Sequence, residues 1–282
     1  MTAVARRAPA KINLWLNIIG RRADGYHLLD SLIAFADLAD RLEARPSDRL
    51  SLAIAGPQAG TLSGESDNLI LRAARHLADR AGVAPRAALL LEKNIPIAAG
   101  LGGGSADAAA ALRALGELWG VALPIEELFD LAQRLGADVP MCLAGRASLV
   151  SGIGERLSPA PPLPDCALLL VNAGVQLPTA EVFAARRRGF SMAKPLEGAW
   201  RDLADFTEAL AARGNDLADA AISQEPVVAE VLAALRASDG VRYAAMSGSG
   251  ATCFAIYDEA ARATRAAETL PAAWWRHIGR FV

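Results

Sequence analysis

Apolar and polar residues alternate along the first stretch of the chain. Ile12, Leu14, Leu16 and Ile18 fall on one side, and Lys11, Asn13, Trp15 and Asn17 on the other. Over residues 4–20 this period of two predicts a half-buried strand. Lys11 and Asn13 project together from its other face, which is a solvated surface unless a site recruits it. Ala23-Asp24-Gly25 signals a turn, and a second strand is expected over 28–35. Tyr26 and His27 stand at the turn's exit, where side chains often reach a site. A third strand is expected over 49–55, before a polar loop with Gly56, Pro57, Gly60 and Gly64. From Asn68 to Ala81 the period becomes helical, with Leu69, Ala73, Leu77 and Ala81 on one stripe and Asp67 as the cap. Residues 87–92 then read as a buried strand, which runs through Lys93, Asn94, Ile95 and Pro96 into a cluster of glycines.

That cluster lies in PIAAGLGGGSADAAAAL, residues 96–112, the stretch around which the chain is organised. Gly100, Gly102, Gly103 and Gly104 crowd before Ser105, and no further Gly or Pro follows until Gly116. Glycines permit backbone conformations closed to other residues and let N–H groups approach a ligand. Ser105 is a good N-cap and Asp107 suits a first helical turn. The alanines, with Leu112, Leu115 and Trp119, are helix material. A strand, a glycine-rich turn and a helix N-terminus in succession make an anion site, with phosphate the expected occupant. Two other phosphate loops do not fit. No Gly-Lys pair occurs, which excludes GxxxxGK[ST], and Ser105 stands where the sixth position of GxGxxG needs glycine. An ordinary glycine-rich turn is the alternative that this loop alone does not dismiss.

A second helix is expected from Pro124 to Leu135, closed by Gly136. In GADVPMCLAG, residues 136–145, Asp138 precedes a Val-Pro break and reads as a turn residue or a helix cap. Residues 147–157 read as a hairpin bent at Gly152 and Gly154. The four prolines of SPAPPLP, 158–164, mark a boundary between domains 1–157 and 158–282. Beyond it the pattern predicts a strand over 166–171, a helix over 180–188 and two or three helices within 199–238. One of these carries the stripe Val228, Val231, Leu232 and Leu235. A strand over 241–246, a tight SGSG turn at 247–250, a strand over 251–257, a helix over 258–269 and a strand over 275–282 complete an α+β chain without internal repeats.

Composition narrows the functional classes. With 53% hydrophobic residues in 282 positions, the chain can bury a substantial core as one large domain or two modest ones. A net charge of −2 gives no electrostatic case for nucleic acid or an anionic membrane surface. No segment approaches a transmembrane helix free of charge, and the N-terminal stretch lacks the apolar core of a signal peptide, so a cytoplasmic protein is expected. Cys142, Cys166 and Cys253 are far apart, odd in number and without metal-ligand spacing, and are expected as reduced core residues. Of 29 basic residues only Lys11, Lys93 and Lys194 are lysines, which weights those three towards uses that need a small mobile ammonium.

PAKINLWLNI with RRADGYH near the start, GLGGGSADAAAAL in the middle and MSGSGATCF near the end, in that order, resemble the GHMP kinase superfamily of galacto-, homoserine, mevalonate and phosphomevalonate kinases. The resemblance runs from Pro9 to the neighbourhood of Tyr257. Within the superfamily, PAKINL, RRADGYH, KNIP before the glycine loop and GADVP resemble the branch that acts on a cytidine diphosphate-linked methylerythritol in the non-mevalonate isoprenoid route. This implies a two-domain GHMP kinase fold: an N-terminal ATP-binding α/β domain and a C-terminal ferredoxin-like α/β sandwich, with the active site in the cleft between them. It also implies transfer of the γ-phosphoryl of ATP to the 2-hydroxyl of the methylerythritol unit, with ATP as co-substrate and Mg²⁺ expected. A monomer or weak homodimer is expected, with no nucleic-acid or membrane partner.

The same resemblance implies residue roles. Asp138 becomes the general base for the attacking hydroxyl, and Lys11 keeps that carboxylate ionised and steadies the alkoxide. Pro96, Gly100, Leu101, Gly102, Gly103, Gly104 and Ser105 hold ATP, with Asn68 and Lys93 near the nucleotide. Asn68 is otherwise a helix cap and Lys93 a surface charge. A cytosine suits an aromatic sandwich and a polar edge contact, so Tyr26 and Phe183 stack on it while His27 reads its edge. Phe183 otherwise reads as helix core. Asn13 orients the methylerythritol end and Thr179 contacts the diphosphocytidyl part. Ser247 and Gly248 close the far side of the phosphate region, or form only a hairpin turn. After Ser105 this chain has Ala106-Asp107, where a second hydroxyl or an amide occurs in some relatives. Asp107 therefore adds negative charge near the phosphates unless a cation or the helix dipole compensates, and the metal ligands stay unassigned. One competing reading is another superfamily kinase, for homoserine or mevalonate, whose substrates give RADGYH no nucleobase to bind. The other is a non-catalytic sensor, against which the intact Lys11, glycines and Asp138 speak.

Overall fold

The computed structural model describes residues 2–61, 68–196 and 198–282. The chain forms two compact units: Met1–Ala10, Leu38–Ile97 and Gly102–Gly145 make the first, and Lys11–Asp37, Ala98–Leu101 and Arg146–Val282 the second. A single cut between residues 157 and 158 does not separate them. The physical reason is the length of the first two strands, β1 (Val4–Arg21) and β2 (His27–Arg45), which pair with each other and contribute residues to both units.

In the first unit, the end of β2 pairs antiparallel with β4 (Ala88–Glu92), Arg41 facing Glu92, and β3 (Ser51–Ala55) pairs parallel with β4. The α-helices of this unit, among the described residues, are α1 (Leu69–Ala81), α2 (Gly103–Trp119), α3 (Ile125–Leu135) and α4 (Val139–Ala144). Helix α2 packs on α1 and α4 and is buried nearly all round, from Ala106 through Leu112 and again at Ala114, Leu115 and Leu118. That is why its sequence is rich in alanine and leucine rather than amphipathic. Helix α1 shows the opposite pattern, burying one stripe through Ile70, Ala73, Leu77 and their neighbours. Ile70 and Leu77 each contribute about 1.5–3 kcal/mol by leaving water. The cap of α1 is Asn68, whose Oδ1 accepts the Ile70 N–H at 2.9 Å. Asp67, expected as that cap, and Gly64 of the preceding loop lie outside the described residues.

The second unit contains the early part of β2 paired with β5 (Ser148–Gly152), which forms the expected hairpin with β6 (Arg156–Pro159). It also holds a four-stranded antiparallel sheet. Its members are β7 (Ala167–Asn172), β8 (Val241–Met246), β9 (Cys253–Tyr257) and β10 (Trp275–Gly279), in the order β10-β7-β9-β8. Between β7 and β8 lie α5 (Thr179–Ala185), α6 (Leu203–Ala211), α7 (Ala218–Gln224) and α8 (Val227–Ala237). Helix α9 (Ala260–Thr269) lies between β9 and β10. Counting α8 and α9 as the two helices packed on the sheet, this is the βαββαβ order of a ferredoxin-like sandwich. The expected stripe of α8 is its buried face, and it packs with Leu169, Val171, Ala255 and Tyr257 of the sheet.

Two expectations about strands need correction. Strand β1 is not half-buried, since Lys11, Asn13, Trp15 and Asn17 are as enclosed as the apolar residues between them. A period of two predicts one dry face, but a polar face can also be buried when each group finds a partner. Strand β2 continues ten residues past the expected end at Phe35, because Asp37, Asp40 and Glu43 are accommodated within the strand rather than ending it. Cys142 and Cys253 are core residues, whereas Cys166 is half-buried.

Candidate active site

The glycine turn owes its shape to two residues with left-handed backbone, Gly100 at φ 76° and Gly102 at φ 62°. Gly102 is the N-cap of α2, and Ala106 donates to its carbonyl at 2.9 Å to begin the helix. Ser105 therefore sits inside the first turn and does not cap it, a correction that follows from helical backbone beginning at Gly103. The N–H groups of residues 103–105 belong to that first turn, where no preceding carbonyl is in reach. A Cβ on Gly104 would meet nothing within 4 Å, so the turn is open on that side. Ala98, at φ 51°, is a non-glycine residue in the same left-handed region, which an inventory of glycines does not reveal.

Residues 98–101 are fixed through their carbonyls. Leu177 N–H donates to Ala98 at 3.4 Å, Thr252 N–H to Ala99 at 3.1 Å and Lys11 N–H to Leu101 at 2.8 Å, while Ser247 Oγ donates to Gly100 at 3.0 Å. Gly100 also approaches the SGSG turn closely, since a Cβ there would stand 2.5 Å from the Gly250 oxygen. Ser247, expected among the substrate contacts, is fully buried, and its hydroxyl also accepts the Asn13 N–H at 3.1 Å. Its hydroxyl is used inside the fold. Asn215 secures the same turn by donating to the Met246 and Gly248 carbonyls, both at 2.8 Å. No motif singled out Asn215, because its partners lie more than thirty residues away.

Lys11 and Asn13 are neighbours, as the period of two requires. Lys11 Nζ donates to Asn13 Oδ1 at 2.7 Å, Asn13 Nδ2 to Ser31 Oγ at 2.9 Å, and Ser31 Oγ to the Trp15 carbonyl at 2.5 Å. This chain of bonds explains how β1 buries polar groups, and it fixes the Asn13 amide with its oxygen towards the ammonium. Asp138 is half-buried at the N-cap position of α4, with φ −86° and ψ −14°, and its carboxylate makes no capping bond to that helix. A helix cap is thus not what the side chain does.

His27 and Phe183 come together, their ring centroids 5.2 Å apart at 34°. Phe183 is half-buried; the core residue of α5 is its neighbour Val182. Burial, then the charges of Arg21 and Arg186, hold His27 below its ordinary value, so the imidazole is neutral near pH 7 and can both donate and accept. Tyr26 is 60% exposed. Thr179, first in α5, shares a hydrogen bond of 3.0 Å with Ser249. Asn68 is spent on its helix, and Leu101 is buried while Pro96 is half-buried.

Lys93 is no surface charge. It is 3% exposed and donates to Asp40, and to Asp107 at 2.8 Å. It is the cation that compensates Asp107. Among the described residues no group of three or more His, Cys, Asp or Glu could hold a metal ion. A cavity of about 400 Å³ in the second unit, lined by Asn215, Arg236, Tyr243 and Met246 among others, contains none of the expected site residues. No helix among the described residues is long and apolar enough to cross a membrane.

Comparison with known proteins gives the same outline. A family model for the GHMP kinases N terminal domain matches residues 68–146, and one for the GHMP kinases C terminal domain matches 192–276. The 4-diphosphocytidyl-2-C-methyl-D-erythritol kinase of Paramagnetospirillum magneticum is 53% identical over 98% of this chain and 97% of its own. That of Rhodospirillum rubrum is 51% identical over 99% and 93%. A crystal structure of 4-(cytidine 5'-diphospho)-2C-methyl-D-erythritol kinase superposes with a TM-score of 0.81 at 38% identity, covering 98% of both chains. Homoserine kinase from Cytophaga hutchinsonii, at 18% identity and a TM-score of 0.72 over 99% of this chain and 95% of its own, shares the fold.

Proposed function

We infer from the chain's place among the 4-diphosphocytidyl-2-C-methyl-D-erythritol kinases, the GHMP kinase family to which it belongs, that it moves the γ-phosphoryl of ATP onto the 2-hydroxyl of that cytidyl substrate. The products are the 2-phosphate and ADP, on the non-mevalonate route to isoprenoids. The observation that carries this reading is identity at about half of all positions along nearly the whole length of relatives so named.

Phosphoryl transfer is won by placement and by charge stabilisation around the moving group. The first turn of α2, open at Gly104, holds the ATP phosphates with backbone N–H groups and the positive end of its dipole. Asp138 takes the proton of the attacking hydroxyl. Lys11, its ammonium aimed by Asn13, steadies the oxygen as that proton leaves. Mg²⁺, bound with the nucleotide, supplies the neutralisation of phosphate charge. Asn13 orients the methylerythritol end and Thr179 the diphosphocytidyl part. Tyr26 and Phe183 stack on the cytosine, and the neutral His27, packed on Phe183, reads its edge.

The test is an ADP-release assay with ATP, Mg²⁺ and the cytidyl substrate, run beside mevalonate and homoserine. Turnover is expected with the cytidyl substrate only; turnover with either other alcohol would discard the assigned substrate. Because Tyr26 is 60% exposed, Tyr26→Ala removes little core packing. It is expected to raise KM for the cytidyl substrate about tenfold, the worth of one stacking contact, and to leave KM for ATP alone. An equal rise in both would sink the stacking role.

A further inference from the structure

One cluster in the first unit is left unexplained by that reading. Lys93, just after β4, donates to Asp107 Oδ2 on α2 and to Asp40 Oδ2 on β2, and all three side chains are buried. The second oxygen of Asp40 accepts the N–H groups of Asn94 at 2.6 Å and Ile95 at 2.8 Å, so Asp40 is tied to the segment that leads into the glycine turn. The second oxygen of Asp107 is also buried, yet it finds no hydrogen-bond partner among the described residues. A Cβ built on Gly103 would stand 2.9 Å from Lys93 Nζ. The ammonium therefore lies directly beneath the first residue of α2.

Such a cluster is a poor way to gain stability. Burying three charged groups costs more than their attraction returns unless the geometry is very good, and an apolar trio of the same volume does as well or better. Here the geometry is incomplete, with two carboxylates for one ammonium and an oxygen unpaired. Burial alone would lower the Lys93 ammonium, but the carboxylates of Asp107 and Asp40 outweigh it and hold the group above its usual range. Burial pushes Asp107 up to about 8, against the pull of Lys93 and with the repulsion of Asp40 added. What the cluster provides and an apolar trio would not is an ammonium held in one place beneath an anion-binding turn, its charge balanced by the two aspartates. It also joins three separate pieces of chain to the helix start: β2, the exit of β4, and the face of α2 that carries Gly103 and Asp107.

We propose that Lys93 is a positioning residue for the phosphoryl donor: clamped by Asp40 and Asp107 under Gly103, its ammonium sets the place of the first turn of α2, and so the grip of that turn on the nucleotide's phosphates. Lys93 acts from behind the turn and does not touch ATP. This rests on the reading above that the turn holds the triphosphate. Gly103 is glycine, on this account, because any side chain there would displace the ammonium.

The test uses the full chain and measures ATP binding directly by calorimetry, with KM for ATP, KM for the cytidyl substrate and Tm alongside. Asp40→Asn, Lys93→Met and Asp107→Asn combined remove every charge of the cluster and leave amides that can bond across the gap. Lys93→Arg keeps the charge but puts a wider head where Gly103 leaves 2.9 Å. Both are expected to weaken ATP binding about tenfold, in line with the loss of a preorganised placement of the turn's N–H groups. KM for the cytidyl substrate should stay within twofold of the parent. A merely structural role would lower Tm and the active fraction without moving the dissociation constant. Should the triple variant fail to fold, Lys93→Arg decides alone. Either variant, folded and binding ATP within twofold of the parent chain, overturns the proposal. Failure of the parent chain itself to bind ATP would instead overturn the reading of the turn, and the role of Lys93 with it.

Discussion

Asp138→Asn will lower kcat by about a hundred- to ten-thousandfold while ATP affinity stays within about twofold, the signature of losing a general base rather than a binding contact. The substitution is nearly isosteric, and Asn accepts the backbone conformation of Asp138, φ −86° and ψ −14°, without strain. The carboxylate does not cap α4, and that helix is held by the burial of Val139, Pro140, Met141, Cys142 and Leu143, so its start should not loosen. An amide cannot take the hydroxyl proton. Single-turnover measurements with saturating ATP separate this chemical defect from product release. A variant that retains near-parental kcat would show that the proton leaves by another path and that Asp138 has been given the wrong role.

Gly100→Ala is expected to destabilise the chain by about 2–5 kcal/mol, from strain in a left-handed conformation and from overpacking together. The new methyl would stand 2.5 Å from the Gly250 oxygen and 2.7 Å from the Ser247 oxygen. Both are backbone atoms, which cannot swing aside as a flexible side chain can. Relief requires the SGSG turn and the glycine turn to part, and Ser247, which bonds to Gly100 and Asn13, is the residue that holds them together. Tm should fall by about 5 °C or more, with ATP binding weakened in whatever remains folded. Gly104→Ala is the internal control, because its Cβ would enter open space and alanine favours the helix. A Gly100→Ala variant whose Tm matches that of the control would show that the close approach imposes no constraint.

Much of the fold can be read along the chain because it depends on local period. The stripe of α8, the stripe of α1, the hairpin at Gly152 and Gly154 and the strand-turn-helix around the glycines are each written within a dozen residues. What escapes such reading depends on distant partners. Asn13 and Asn17 look solvated until Ser31 on β2 and the carbonyl of Arg213 satisfy them. Lys93 looks like a surface charge because Asp40 is 53 residues before it. The glycine turn is visible as composition, but the start of its helix is not: Ser105 has the better capping chemistry, and the left-handed Gly102 takes the cap three residues earlier. At the candidate site, Lys11 beside Asn13 follows from the strand's period, whereas His27 against Phe183 joins residues 156 positions apart, and only the family resemblance assigns both to one cytosine.

The way the glycine turn is held limits its portability. Four consecutive carbonyls, from Ala98 to Leu101, are taken by donors on Leu177, Thr252, Ser247 and Lys11. Because a trans peptide sets its N–H opposite its C=O, seating those oxygens against their donors turns the intervening N–H groups to the other side of the loop. A graft of residues 96–105 onto the head of another protein's helix would carry every glycine of the motif and none of those four donors. Each orphaned carbonyl, once buried, costs about 1–3 kcal/mol. The short signature is therefore a label for a structure assembled from the whole chain, and it should travel between proteins only with the segments around Lys11, Leu177 and Ser247 that hold it in shape.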